Sequence, residues 1–273
     1  MYRQDEMRET RADRGKGTTG NRFPSNEAGT WLTSPNPEAS HLPRLYCFAN
    51  AGGNAELFRQ WQASLTETLA VCPVELPGRG RRIGEPFCTS LPEAAKAAAD
   101  AIAGAGHGAY CIFGHSLGSV LALETTRALM RTGHPLPNCL FLSGRIAPHL
   151  AEGERKIHTC SDADIVEELR RLGGTPEELL TERVFLDFIL PIVRDDYRLL
   201  ETYSPALRPT IHCPTHICCG DTDEDAPLSL LERWNELTAT PCQLRLFKGG
   251  HFYINTQQEE LVDYIRETFM ACA

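Results

Sequence analysis

Short apolar runs typical of buried strands alternate with longer segments of helical periodicity from residue 45 onward. Between the strand-like runs, residues 56–69, 91–103 and 116–132 repeat apolar side chains at helical spacing. Alternating strands and helices predict a mostly parallel sheet with helices on both faces. We therefore predict an α/β fold. Its strand candidates are residues 45–49, 71–76, 110–113, 139–143, 216–219 and 243–247.

One region interrupts the alternation. Residues 160–203 contain helical segments and no strand candidate. An all-helical insertion between two strands is a candidate lid over a functional site. Residues 1–30 are polar and charged with almost no apolar periodicity, which predicts a disordered N-terminal extension. We expect one domain over residues 31–273, with its helical lid at about 160–203.

A Gly-His-Ser-Leu-Gly motif at residues 114–118 follows an apolar strand and opens a helix. A tight strand-to-helix turn projects a serine hydroxyl outward, and the two glycines let the backbone pack closely. The helix N-terminus also favours developing negative charge. An ordinary turn that happens to contain serine is the alternative, but the context favours Ser116 as a nucleophile.

A serine needs a neighbouring base to be nucleophilic at neutral pH. His251 follows two glycines in the loop after the last strand, whereas His115 adjoins the serine and should point elsewhere. The acid should follow a strand and precede the base. Asp223 fits a few residues after the strand, and Asp221 is a rival that would instead brace the turn. The order serine, acid, histidine then predicts an acyl-transfer triad.

The oxyanion formed during acyl transfer needs two preorganised N–H donors. The backbone N–H of Leu117, directly after the serine, is one candidate. The glycine loop at residues 50–53, after the first core strand, offers the other, and we expect Ala51 to supply it.

Charge and composition restrict the partners and the compartment. The net charge is −9, which disfavours nucleic acid and anionic lipid. The N-terminus lacks an apolar signal core, and no run is long enough to span a bilayer. The eleven cysteines are scattered, several of them in apolar runs. We expect a cytoplasmic monomer with reduced cysteines that binds neither nucleic acid nor membrane.

Two patterns resemble metal or cofactor sites. The histidines and cysteines between residues 212 and 219 lie along one strand, where alternate side chains point to opposite faces and cannot converge. The glycine-rich residues 104–108 precede a strand rather than follow one, which does not fit dinucleotide binding. We therefore expect neither a metal nor a cofactor.

Several motifs together resemble those of type II thioesterases, the stand-alone editing enzymes of polyketide and nonribosomal peptide synthesis. The resemblance covers the chain from about residue 31 to the C-terminus and implies the α/β-hydrolase fold. The Leu-Pro-Gly-Arg-Gly run at residues 76–80 is its most specific part. The other matching segments are residues 45–53, 114–119, 143–148, 220–223 and 249–252.

The resemblance implies hydrolysis of acyl groups carried on the phosphopantetheine arm of acyl or peptidyl carrier proteins. Ser116, Asp223 and His251 match the family's triad, and Ala51 and Leu117 match its oxyanion donors. The arm belongs to the partner protein, so the enzyme itself needs no cofactor.

Two segments depart from the family pattern. The family usually has Pro-His before Ala-Gly-Gly, where this chain has Ala49-Asn50. Its lid often carries Leu-Arg-Ala-Asp-Phe, where this chain has Val-Arg-Asp-Asp-Tyr at residues 193–197, which adds a negative charge. The first change leaves the backbone donor in place but alters the loop that presents it.

Carrier proteins are usually acidic, so an enzyme of net charge −9 needs a positive docking face. The basic loop at residues 77–82 is the candidate, and we expect Arg79, Arg81 and Arg82 to contact the carrier.

Three alternatives share this fold. A chain-releasing acyltransferase would pass the acyl group to an alcohol or amine. A carboxylesterase would hydrolyse oxygen esters at similar rates and would show no preference for carrier-bound thioesters. The third is a catalytically inactive hydrolase-fold binding protein, against which the apparently complete triad argues.

Overall fold

Six strands form a single parallel sheet in the order β2-β1-β3-β4-β5-β6. The computed structural model describes residues 31–33, 37–106, 108–151, 155–208 and 210–272. The prediction of a mostly parallel α/β sheet is confirmed. The strands are β1 Arg44–Phe48, β2 Ala70–Val74, β3 Tyr110–His115, β4 Cys139–Ser143, β5 Thr215–Gly220 and β6 Gln243–Phe247.

Helices cover both faces of the sheet, and the residues predicted to be disordered, 1–30, lie outside the described part of the chain. The α-helices are α1 Trp61–Ser64, α2 Leu91–Gly104, α3 Leu117–Arg131, α4 Asp162–Leu172, α5 Glu177–Leu180, α6 Arg183–Glu201, α7 Leu228–Leu231, α8 Tyr253–Thr256 and α9 Gln258–Cys272. Short 3₁₀ turns occur at Pro37–Ala39, Ala55–Phe58, Gly80–Arg82, Pro148–Leu150, Ile157–Thr159 and Glu232–Leu237.

Strands β1 to β5 are buried on both faces, so successive residues enter different cores, whereas the edge strand β6 is exposed from Gln243 to Leu246. In β1, Leu45 and Cys47 pack into the layer shared with α1 and α9, whereas Tyr46 and Phe48 pack into the layer shared with α2 and α3. Cys218 and Cys219 of β5 separate in the same way. Within the described ranges, no cluster of His, Cys, Asp and Glu side chains could hold a metal ion.

The segment predicted as one helix over residues 56–69 is instead two short pieces, Ala55–Phe58 and Trp61–Ser64. Its apolar side chains still reach the core, where Phe58 and Trp61 meet edge to face. The Gln62 amide donates to the Leu69 carbonyl and accepts from the Val71 N–H, which ties α1 to the start of β2.

The insertion between β4 and β5 carries α4, α5 and α6. These helices pack on a small core of their own that includes Ile157, Ile165, Leu190 and Val193. A capping box at Ser161 starts α4, and Gly173 in the left-handed conformation ends it. Across the described residues, no helix is long and apolar enough to cross a membrane.

Candidate active site

The turn from β3 to α3 holds Ser116 in a strained conformation. Its φ of 56° makes it the one non-glycine residue with a positive φ in the described part of the chain. A Cβ on Gly114 would lie 2.0 Å from the Gly118 carbonyl oxygen, and one on Gly118 would lie 2.2 Å from that of Phe48. Both positions therefore require glycine, and the turn sets Ser116 at the start of α3, as the motif predicted.

Ser116 lines a cavity of about 410 Å³ together with His251 and Ala51. Residues of the inserted helices, Tyr197 of α6 among them, form the facing wall. The cavity therefore lies between the end of the sheet and the insertion, which is the position expected of a lid.

Asp223 and His251 form a buried pair at the ends of β5 and β6. The Asp223 Oδ2 lies 3.0 Å from the His251 Nδ1, and both side chains are buried. The second Asp223 oxygen accepts the Asp225 N–H at 3.0 Å. Because the carboxylate faces Nδ1, Nε2 on the other side of the ring remains for the serine or a water molecule.

Asp221, the rival acid, makes a different contact. Its Oδ1 accepts the N–H of Gly249 at 2.9 Å. It therefore braces the loop that leads to His251 instead of pairing with the imidazole.

His115 points away from the cavity, as expected. Its Nδ1 lies 2.9 Å from the Ser143 hydroxyl, which lies 2.6 Å from the Tyr253 hydroxyl. Complete burial lowers the pKa of His115 well below its usual value, and the nearby His251 lowers that pKa further. His115 is therefore a neutral core residue, a role that the sequence around the serine did not indicate.

The loop at residues 50–53 is ordered by its own contacts and by α6. The N–H of Gly53 donates to the Asn50 carbonyl at 2.9 Å, and the N–H of Gly52 donates to Asp196 at 2.7 Å. The Asn50 side-chain amide donates to the Ala51 carbonyl at 2.8 Å. Asn50 thus shapes the loop, and no acceptor among the described residues bonds the N–H of Ala51, which lines the cavity and can donate to a ligand there.

Two of the three arginines expected to dock a carrier are buried. Arg79 is 3% exposed and pairs with Asp196, while Arg82 is 4% exposed and pairs with Glu85. The expectation was wrong for Arg79 and Arg82, because each guanidinium is buried against a carboxylate from outside the loop. Arg81 is the exposed member of the three.

The role of Asp196 was not predicted from the sequence, where the residue appears only as part of an altered lid motif. A signal was present: Ile192, Val193 and Leu199 form one apolar stripe of α6, and Asp196 falls on that stripe. A carboxylate on an apolar helical stripe needs a buried partner.

Charged and apolar side chains share the cavity wall. Arg171 pairs with Glu168 at 2.7 Å and with Asp225 at 2.9 Å. Apolar side chains complete the lining: Ile146, Ile157, Leu172, Leu200 and Leu230. The wall can therefore accept an apolar acyl group beside polar substituents.

Comparisons with known proteins agree on one family. Thioesterase PikA5 from Streptomyces venezuelae is 36% identical over 242 residues, which cover 88% of this chain and 86% of that protein. A Brevibacillus parabrevis protein named linear gramicidin dehydrogenase LgrE is 34% identical over 88% of this chain and 93% of its own. That name indicates another activity, but the glycine-rich segment of this chain lies between α2 and β3, in the wrong order for a dinucleotide site.

Solved structures give the same result. The type II thioesterase BorB from the borrelidin biosynthetic cluster superposes with a TM-score of 0.80 at 32% identity, covering 88% of this chain and 97% of that one. RedJ, a thioesterase of the prodiginine pathway in Streptomyces coelicolor, has a TM-score of 0.78 at 34% identity, covering 86% and 94%. The thioesterase domain family itself matches residues 43–269. The chain therefore belongs to the thioesterase family with the α/β-hydrolase fold, and its resemblance to the type II thioesterases is confirmed.

Proposed function

We propose that this thioesterase hydrolyses acyl groups from the phosphopantetheine arm of acyl or peptidyl carrier proteins and so clears stalled polyketide or nonribosomal peptide synthases. The observation that carries the proposal is the buried Asp223–His251 pair, whose histidine lines the same cavity as the strained Ser116. The relatives support it, since several are thioesterases named for such biosynthetic pathways.

Acylation uses Ser116 as the nucleophile. Its hydroxyl attacks the thioester carbonyl while His251 Nε2 takes the proton, and Asp223 stabilises the imidazolium through Nδ1–H. The tetrahedral oxyanion is held by the N–H groups of Ala51 and Leu117. The C–S bond then breaks, and His251 returns the proton to the departing phosphopantetheine thiolate.

Deacylation repeats the proton transfer with water. His251 takes a proton from a water molecule that attacks the Ser116 ester, and the acid and free serine are released. These steps use side chains and backbone groups of the chain. We therefore propose an enzyme without a cofactor or metal of its own.

We propose that the enzyme works as a cytoplasmic monomer and that Arg81 contacts the acidic carrier. Arg81→Glu should raise KM for carrier-bound acyl groups and leave KM for small acyl thioesters unchanged. Lys96→Glu is the matched control, because Lys96 is an exposed cation on the flanking helix α2. Equal changes of KM in the two variants would show that Arg81 is not part of the docking surface.

Hydrolysis of a panel of acyl-loaded carrier proteins tests the function. Wild type should release free acids, and Ser116→Ala should release none and lose its labelling by a fluorophosphonate probe. Activity retained by Ser116→Ala would overturn the mechanism. A wild type that hydrolyses no loaded carrier would overturn the function.

The products separate the alternatives in the same assay. Transfer of the acyl group to an added alcohol or amine would indicate a chain-releasing acyltransferase. Similar rates on oxygen esters, with no preference for carrier-bound thioesters, would indicate a carboxylesterase. Failure of the fluorophosphonate to label wild type would indicate an inactive binding protein.

A further inference from the structure

A buried ion pair joins the lid helix α6 to the loop that follows β2. The Arg79 Nη1 and Nη2 atoms each lie 2.6 Å from one Asp196 carboxylate oxygen. Two parallel charge-assisted bonds of this kind fix both side chains in one geometry. Burial lowers the pKa of Arg79, but the adjacent Asp196 more than offsets this, so the net pKa of Arg79 is raised and the guanidinium stays charged.

The same carboxylate also holds the loop at residues 50–53. Asp196 Oδ2 accepts the Gly52 N–H at 2.7 Å, and Arg79 Nη1 donates to the Gly53 carbonyl at 3.3 Å. From the other side, Asn50 donates to the Ala51 carbonyl. The peptide unit between Ala51 and Gly52 is therefore held at its carbonyl by Asn50 and at its N–H by Asp196.

This double restraint limits the direction of the preceding N–H, that of Ala51. A peptide unit is planar, so directional bonds to both of its polar atoms restrict the orientation of its plane. Gly52 adopts a φ of 76°, and a Cβ there would lie 2.7 Å from Val193 of α6, so the helix packs directly against the loop. The direction of the Ala51 N–H is then limited to rotation at Ala51 itself.

We propose that the Arg79–Asp196 pair positions the Ala51 N–H as an oxyanion donor, which makes the lid helix part of the acyl-transfer apparatus. The inference rests on the proposed function, because it takes Ala51 as a donor to the oxyanion. Arg79 and Asp196 are positioning residues, since they act through the Gly52 peptide and not on the reacting atoms.

Stability alone does not account for this pair. A buried ion pair can often be replaced by apolar side chains of similar volume without loss of stability. An apolar side chain at position 196 could fill the space but could not accept the Gly52 N–H. The carboxylate thus performs a task that packing does not.

Substitutions at Asp196 distinguish a role in positioning the loop from a role in stability. Asp196→Ala removes the acceptor, and we expect kcat to fall by about 10-fold to 100-fold with KM changed by less than about 3-fold, since loss of a whole oxyanion donor costs about 10² to 10³. Asp196→Asn keeps an oxygen that can accept the Gly52 N–H, so it should lose less. Asp195→Asn is the matched control, because Asp195 is the next residue of the helix and pairs with Arg198.

A double variant covers the case in which Asp196→Ala fails to fold. Arg79→Met with Asp196→Leu removes both members of the ion pair together, so neither of them is left buried without the other. The folded double variant should keep a melting temperature near that of wild type and still show the reduced kcat. Recovery of wild-type kcat in the double variant would show that the pair serves only structure and would overturn the inference.

The rate of Ser116 modification by a fluorophosphonate gives a second readout, because that reaction uses the oxyanion donors without any carrier protein. We expect the rate constant to fall in parallel with kcat for each Asp196 variant. If the wild type hydrolyses loaded carriers and the folded Asp196 variants keep both rates, the inference is wrong and the function stands. If wild type hydrolyses none and the modification still slows, the function is wrong and the positioning role stands.

Discussion

Ser116 is held in a backbone conformation that costs on the order of 1–3 kcal/mol for a residue with a side chain. Contacts around the turn offset that cost. The Ser116 N–H donates to the Ser143 carbonyl at 2.8 Å, and the Ser119 hydroxyl oxygen lies 2.7 Å from the Ser143 carbonyl oxygen and 2.9 Å from that of Gly114. Because these contacts cross from β3 to β4, the serine hydroxyl is presented by a rigid turn and needs little reorganisation to react.

The two aspartates of the β5 loop should differ in their effect on catalysis. Asp223→Ala removes the partner of His251 Nδ1, so kcat/KM for an acyl thioester should fall by about 10³ to 10⁴. Asp221→Ala removes only a brace of the neighbouring loop, and we expect a loss of less than about 10-fold. Equal losses in the two variants would show that the imidazole depends on both carboxylates.

The sequence alone left Asp221 and Asp223 as rivals because both follow the same strand in one loop. The structure distinguishes them by long-range contacts: the loop after β6 brings Gly249 to one and His251 to the other. The burial of Arg79 depends in the same way on Asp196, a residue 117 positions away. The local sequence pattern identifies such residues as candidates, but it does not show which distant residue each one contacts.

Elements with strong local signals were predictable. The six strands appear within a few residues of their predicted bounds. Five of them are buried, and a buried parallel strand leaves a continuous apolar run. The exposed edge strand β6 instead alternates polar and apolar residues. The prediction of one helix over residues 56–69 was wrong. The spacing of its apolar residues indicates which side chains are buried, but it does not determine the backbone conformation. The Gln62 side chain bonds residues 69 and 71, beyond α1, and apolar spacing does not reveal such a contact.

At the element scale, the junction of β1 with α3 should not tolerate a methyl group. Gly118→Ala would set its Cβ 2.2 Å from the Phe48 carbonyl oxygen, so the helix would have to move away from the strand. We expect at least about 2 kcal/mol of destabilisation, measured by urea unfolding, together with loss of activity. Gly108→Ala is the control, because nothing lies within 4 Å of a Cβ there. A Gly118→Ala protein as stable as this control would contradict the packing argument.

At the scale of the whole molecule, the site combines the candidate triad, which the sequence predicted, with a lid contact, which the sequence did not predict. The candidate triad lies at the ends of β3, β5 and β6, and parallel strands bring such ends to one edge of the sheet. The order of motifs along the chain was therefore enough to propose it. The lid contributes through α6, which contacts the loop at residues 50–53. That contact depends on how the inserted helices pack against the edge of the sheet, and the periodicity of apolar residues does not specify this packing.

The whole fold should lose stability in acid through histidines buried in the neutral form. His216 of β5 lies 2.7 Å from the Tyr264 hydroxyl, and burial lowers its pKa to about 4. The unfolded chain, with a histidine pKa of about 6.5, then binds more protons below that pH, so stability falls as pH drops from about 6.5 towards 4. Between pH 7.5 and 5, His216 alone should account for about 2 kcal/mol of the loss in unfolding free energy. In urea titrations, the unfolding free energy of His216→Gln should fall by that much less than that of wild type over this pH range. His212→Gln is the control and should match wild type, because His212 is exposed. An unchanged pH dependence in His216→Gln would show that other groups cause the acid sensitivity.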